Sequence, residues 1–415
     1  MRVKMNKKTL LAITPGVLLI SFITFAQETP LVIKAGKIQT ISQGLIENGA
    51  VLIHKGKIKS IAPHIHIPKN AKVINAEESW LLPGLIESHT NMGSSNRYDG
   101  SNINETSNPN TAQLSVVDAI NPFDKNFKFV RKAGITTLMI SQGRKNVIGG
   151  QTAVVKPRGK TVTTMILKSP AGVKISLGEG PKTTYGQKEK LPSTRMGSAY
   201  VLRKALLDAQ HYLEEWQNYQ KKSDKREKPQ FDLQLDPLAK LLKKELTAFI
   251  ECYRVDDIMT ALRIVDEFKL QAVLVGCAEG YKIPNEIAQR NIPVIVSPFG
   301  IGSRRMETKG LAKSNAAILH QAGVKIAIKA DESLGIGSIR ELPLLAALAV
   351  KGGLDQDTAL RAITLNAAEV LGVENKIGNL EAGKDADMVL FDGDPLDYQT
   401  RVKQVFIDGK SVYKR

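Results

Sequence analysis

Cysteine is nearly missing from this chain: Cys252 and Cys277 are the only two in 415 residues. A thiolate metal centre therefore has the least support, while one disulfide or two buried small hydrophobes both stay open. Long apolar runs are scarce too. Beyond Thr9 to Phe25 no segment is apolar enough to span a bilayer. No Gly-x-Gly-x-x-Gly turn follows an apolar strand, which leaves dinucleotide binding little support. Acidic residues are outnumbered, 41 against 58 basic, giving a formal charge of +17. Nucleic-acid binding would need that excess gathered on one face, yet the densest basic run, Lys221 to Lys228, is broken by Asp224 and Glu227. It reads as a charged linker in solvent, and no nucleic-acid partner is expected.

What is present begins with an address. Arg2, Lys4, Lys7 and Lys8 precede the apolar stretch, and Ala26 stands before Gln27-Glu28 with Thr24 close by. This is the pattern of a secretory signal peptide over residues 1–26, cleaved near Ala26, so a secreted or periplasmic location is expected. A membrane anchor is disfavoured because the run falls short of the ~20 residues a spanning helix needs. No cysteine follows to carry a lipid.

From Pro30 to about Trp80 short alternating strands are separated by glycine turns, and Ala386 to Phe391 with Val405 to Lys410 repeats the pattern near the other end. These predict a small composite β-sandwich over residues 27–80 plus 375–415. Between them, over 81–374, the rhythm is strand, helix, strand. Apolar runs at 248–250, 272–275, 293–296 and 324–328 recur at the spacing of βαβ units. Parallel strands covered by helices on both faces give a closed barrel or an open sheet. The stretch from Gly178 to Lys244 is an enlarged connection holding a long amphipathic helix, with Val201, Leu202, Ala205, Leu206, Ala209, Leu213 and Trp216 on one face.

Several blocks carry a family likeness: Pro83-Gly84-Leu85-Ile86-Glu87-Ser88-His89, Asn146 to Gln151, Leu177 to Lys182, Glu279-Gly280-Tyr281, Asn315 to Val324 and Gly378 to Asp387. Together they make the chain resemble the imidazolonepropionase-like branch of the amidohydrolase superfamily. The resemblance implies an α/β fold, a (β/α)₈ TIM-like barrel beside a small β-sandwich formed by the N- and C-terminal segments, with chemistry at the C-terminal ends of the barrel strands. It implies a His-x-His pair from strand 1, of which this chain keeps His89 and has Asn91 in the second place. Carried over by position, Lys174 is the strand-4 lysine that can bear a carboxyl group. Glu251 and Tyr253 take the strand-5 places, Gly276 the strand-6 place, and Asp331 the strand-8 aspartate.

The resemblance thus implies a divalent cation, zinc or manganese if any, held by His89, Lys174, Glu251 and Asp331, with Asp331 moving the proton. Asn91, Tyr185 and Tyr253 are the candidate substrate contacts. His64-Ile65-His66 has ligand spacing but lies in a loop away from the expected mouth, and His211 and His320 fall in helices. The implied activity is hydrolysis of a carbon–nitrogen bond in a small amide, cyclic amide or peptide-like substrate, with an altered metal site. The alternative is a catalytically inactive homologue that binds a ligand or supports a related amidohydrolase subunit. The expected partners are a small-molecule substrate and another copy or relative of the chain.

Overall fold

The computed structural model describes residues 29–96, 100–221, 228–298, 306–330 and 336–415. The expected signal segment lies outside these residues. Among them, no helix is long and apolar enough to cross a membrane.

The first four strands are β1 (Leu31–Gln39), β2 (Leu45–His54), β3 (Lys57–Ala62) and β4 (Lys72–Pro83), and the last three are β15 (Met388–Phe391), β16 (Val402–Ile407) and β17 (Lys410–Lys414). They form one continuous seven-stranded sheet, ordered β17-β16-β15-β4-β1-β2-β3. The two ends of the chain join where β15 runs antiparallel to β4, pairing Met388 with Pro83 and Phe391 with Trp80. Ile33, Ile38, Val51, Ile58, Leu81, Met388 and Phe406 cluster on its buried face, the period-two burial that removes apolar surface from water along a strand.

Between the ends run β5 (Leu85–Thr90), a small hairpin of β6 (Ser95–Asn96) and β7 (Gly100–Ser101), then β8 (Ile135–Ile140), β9 (Ile148–Val155), β10 (Ile166–Ser176), β11 (Thr247–Cys252), β12 (Ala272–Gly276), β13 (Val294–Val296) and β14 (Ile326–Ile328). Eight of these make a second sheet in the order β14-β13-β12-β11-β10-β9-β8-β5. It curls until its edges nearly meet. At that seam Ser88 Oγ donates to Ile328 O at 3.2 Å and Glu87 Oε2 accepts from Ala330 N at 3.0 Å.

The alternation along each strand sorts residues to two sides. Ile86, Met139, Val154, Phe249, Val273, Val275, Ile295 and Ala327 fill the interior, together with Ala367, Ala368 and Leu371 of the helix Leu365–Leu371. Leu85, Leu138, Ile250, Leu274, Val294 and Ile326 join the other core, shared with the surrounding helices. Cys252 and Cys277 belong to this outer core, both buried and both free thiols.

One expectation needs correction. The strand–helix rhythm implied parallel strands throughout, but β9 is antiparallel to both β8 and β10. The connection at 141–147 is too short for a crossover, which takes a dozen or more residues, and only a reversal fits. The enlarged connection does contain its long helix, Arg195–Lys221, burying Leu202, Ala205, Leu206 and Ala209.

The two sheets are fastened together just past β9. Lys156 Nζ reaches Asp408 Oδ1 at 2.6 Å, Asp385 Oδ2 at 2.8 Å and Asp387 Oδ2 at 2.9 Å. Asp387 is buried, and burial pushes its carboxyl up to about 6 despite the opposing pull of Lys156, with Asp408 adding repulsion.

Candidate active site

Three strands deliver the central side chains. On β10 the outward neighbours Val173 and Ile175 fix Lys174 to the inner side, and on β11 Phe249 places Glu251 inward two residues later. On β5 the register is irregular between Glu87 and Thr90. Glu87 Oε1 accepts from the backbone N–H of His89 at 3.2 Å there. The outcome is one cluster: Lys174 Nζ lies 3.1 Å from His89 Nε2 and pairs directly with Glu251 Oε2. Lys174 is fully buried and His89 and Glu251 nearly so.

Tyr253 extends this cluster, its hydroxyl donating to Glu251 Oε1 at 2.7 Å. Its ring takes the room at the strand-6 place. A Cβ built on Gly276 would fall 2.8 Å from Tyr253 Cε1, and Gly276 sits at φ +98°, a backbone conformation open to glycine. Burial would raise the Glu251 carboxyl, but Lys174, His89 and Arg144 outweigh it and hold Glu251 well below the usual carboxylate range. Burial, then the Glu251 charge, pushes the Tyr253 hydroxyl well above its usual value. At neutral pH the acid is ionised and the phenol keeps its proton.

Two other candidates make contacts of their own. Asn91 follows the end of β5, where its carbonyl accepts from Ser94 Oγ at 2.8 Å. Tyr185 is buried in the helix Glu179–Gly186, and its hydroxyl donates to Asn146 Oδ1 at 2.8 Å. Burial and the Glu105 charge push that phenol up to about 12. Its hydroxyl is committed to the wall of the mouth. Asp331 lies outside the described residues. His64, His66, His211 and His320 are exposed, away from the cluster.

Two residues at the mouth were not expected from the sequence. Arg144, in the loop between β8 and β9, is held charged against its own burial by Glu251, Tyr253 and Glu307. Glu307 is buried and accepts from the N–H of Glu179. Burial pushes its carboxyl up to about 7, with the Glu251 and Glu179 charges adding to the effect and Glu179 N–H and Arg144 opposing it. Their signal in the sequence is faint, since both lie in connections without periodicity. Arg144 does stand two residues ahead of the Asn146 to Gln151 block.

The donor chemistry decides whether a cation suits this place. His89 Nε2 and Glu251 Oε2 both face one point, Lys174 Nζ. As an ammonium, Lys174 supplies the positive charge at that point itself. Bearing a carboxyl group, it would add oxygen donors to an imidazole and a carboxylate, a set that fits one zinc or manganese ion. Among the described residues, the tightest gathering of acidic ligand atoms is instead Asp385, Asp387 and Asp408, and Lys156 fills it.

Comparisons with known proteins agree with this architecture. The amidohydrolase family model matches residues 287–412. The crystal structure of an amidohydrolase from Thermotoga maritima MSB8 is 33% identical, covers 93% of this chain and 100% of its own, and superposes with a TM-score of 0.88. An imidazolonepropionase of Geobacillus sp. (strain WCH70) is 23% identical over 84% of each chain. Amidohydrolase tasK of Hapsidospora irregularis is 25% identical over 88% of this chain, which spans 40% of the length of that relative. A zinc-bound adenosine deaminase from Xanthomonas campestris, 17% identical with a TM-score of 0.55, shares the fold. With a third of its residues identical to an amidohydrolase whose whole length it covers, the chain belongs to the amidohydrolase family.

Proposed function

We propose that this chain hydrolyses a carbon–nitrogen bond of a small amide, cyclic amide or peptide-like substrate at the barrel mouth, and that it does so outside the cytoplasm after cleavage near Ala26. The observation that carries the hydrolytic reading is the convergence of His89, Lys174 and Glu251 from three strands upon one point. A cation bound there by His89, Glu251 and a carboxylated Lys174 would polarise the scissile carbonyl and acidify a water.

The residues themselves do the rest. Glu251 stays ionised and takes the Tyr253 O–H bond on Oε1, which fixes the carboxylate and leaves Oε2 toward Lys174. Arg144 contributes a permanent positive charge beside Glu251 and Tyr253, suited to negative charge developing on a carbonyl oxygen. Asp331 is proposed as the carrier of the proton to the leaving nitrogen. The seven-stranded sheet is read as the small sandwich module that buttresses the barrel.

Turnover of acyl-amino acids, dipeptides and cyclic amides by purified protein, supplied with zinc or manganese and bicarbonate, tests the reading. Activity on at least one class, with one equivalent of metal that disappears in His89→Ala, is expected. A full panel without turnover refutes hydrolysis. For the location, N-terminal sequencing of protein recovered from the cell envelope or medium should begin near Gln27, and an intact Met1 refutes export.

A further inference from the structure

Lys329 is buried, 5% exposed, and the hydrolytic reading gives it no task. It stands one residue past the end of β14, where its backbone N–H donates to Val296 O of β13 at 2.9 Å and prolongs the ladder. Alternation fixes its direction. Ile328 before it and Ala330 after it belong to the outer core, while Ala327 lies in the interior, so the Lys329 side chain enters the barrel. The interior layer beneath it, Ala327, Ile295 and Val275, is apolar. The ammonium therefore sits above that layer, at the end of the barrel that carries Lys174. The seam brings β5 alongside, since Ser88 Oγ donates to Ile328 O at 3.2 Å and His89 is the next residue.

This cation differs from the other two buried lysines. Lys174 has Glu251 as a counterion and Lys156 has three carboxylates. Lys329 has no ion pair among the described residues; its Nζ donates to Ala330 O, the carbonyl of its own chain neighbour, at 2.9 Å, and its remaining hydrogens are unspent. Glu87, the acid at the seam, accepts instead from the backbone N–H groups of His89 at 3.2 Å and Ala330 at 3.0 Å. A desolvated charge without a counterion is costly. Held beside a site, it favours a ligand that brings the missing anion.

We infer that Lys329 anchors a carboxylate carried by the substrate. The ammonium donates to the carboxylate oxygens, a charge-assisted pairing stronger than one to a neutral amide. The inference rests on the hydrolytic reading for its link to catalysis and narrows its substrate class to amides with a free carboxylate near the scissile bond, such as N-acyl amino acids and dipeptides. Lys329 is then a specificity-determining residue one strand away from His89.

Binding and turnover are measured separately so that the two ideas fail separately. Calorimetry on the full-length His89→Ala protein compares the N-acetyl derivatives of alanine, leucine and phenylalanine, each with its uncharged carboxamide. In at least one pair the acid should bind about tenfold more tightly, as a charge-assisted hydrogen bond allows. Lys329→Met, added to the same protein, should erase that preference, and Lys329→Arg should keep most of it. Equal affinity within every pair, no binding by any acid, or a preference that survives Lys329→Met overturns the anchor. The acid-against-carboxamide comparison with Lys329 in place decides the matter even where Lys329→Met does not fold. Turnover of the same compounds by protein with His89 intact then separates the readings. Lysine-dependent binding of acids without hydrolysis of any amide removes the hydrolytic reading and leaves the anchor standing. Hydrolysis with the same KM for acids and carboxamides removes the anchor alone.

Discussion

Replacing Lys156 by Met tests whether the fastening between the two sheets carries stability. In the native protein this one ammonium faces three carboxylates, with side chains 9% exposed for Lys156, 12% for Asp385, 3% for Asp387 and 39% for Asp408. Removing one partner of a buried ion pair costs about 3–5 kcal/mol, because the remaining charge stays desolvated. Asp387 bears most of that cost, and the Asp408 contact adds little because solvent screens it.

The loss should also depend on pH. The Asp387 carboxyl stands at about 6 against an ordinary 3.8. Its folded form thus holds a proton more tightly than its unfolded form, and native stability from this group rises as pH falls from about 6 toward 3.8. That interval is worth at most about 3 kcal/mol. Without Lys156 the three acids climb further, so the variant is worst at neutral pH and recovers when they are protonated. Urea unfolding of native protein, Lys156→Met and Lys156→Met/Asp387→Asn at pH 7.5 and pH 5 reads this directly. A loss under about 1 kcal/mol at pH 7.5, an equal loss at pH 5, or no recovery in the double variant would refute the electrostatic account.

Two further substitutions probe the mouth. Tyr253→Phe keeps the ring against Gly276 but removes the 2.7 Å bond to Glu251; a stability loss of about 1 kcal/mol is expected. Because Lys174, His89 and Arg144 keep Glu251 ionised without that donor, the loss should be the same at pH 6 and pH 8, and a loss that changes between them contradicts the assigned role. Gly149→Ala inserts a methyl group 3.2 Å from both Lys174 Cγ and Gln142 Cβ. Lys174 must yield by a few tenths of an ångström, and kcat/KM should fall by about tenfold or more. Unchanged kinetics would show that Lys174 tolerates displacement.

The barrel strands were legible because each is a short apolar run. The runs at 248–250, 272–275, 293–296 and 324–328 became Thr247–Cys252, Ala272–Gly276, Val294–Val296 and Ile326–Ile328. Alternation then told which neighbours face inward, which is why Glu251 and Lys174 meet while Cys252 turns to the outer core. The reversal of β9 was hidden because hydrophobic pattern carries no strand direction; the length of the connection at 141–147 decides it. Arg144 and Glu307 were hidden for a different reason. Their roles come from long-range folding of irregular segments onto Glu251, which no local spacing records.

The joint between β4 and β15 has a consequence for how the molecule is made. Strand β4 waits for a neighbour that emerges only after the entire barrel, since Pro83 pairs with Met388. Until then one edge of the early sheet offers unpaired backbone groups, a template for adhesion between nascent chains. Contacts separated by so much chain close slowly. The last thirty or so residues are thus the latch of the molecule, and a ribosome that stalls before Met388 leaves behind a sticky, half-clothed intermediate.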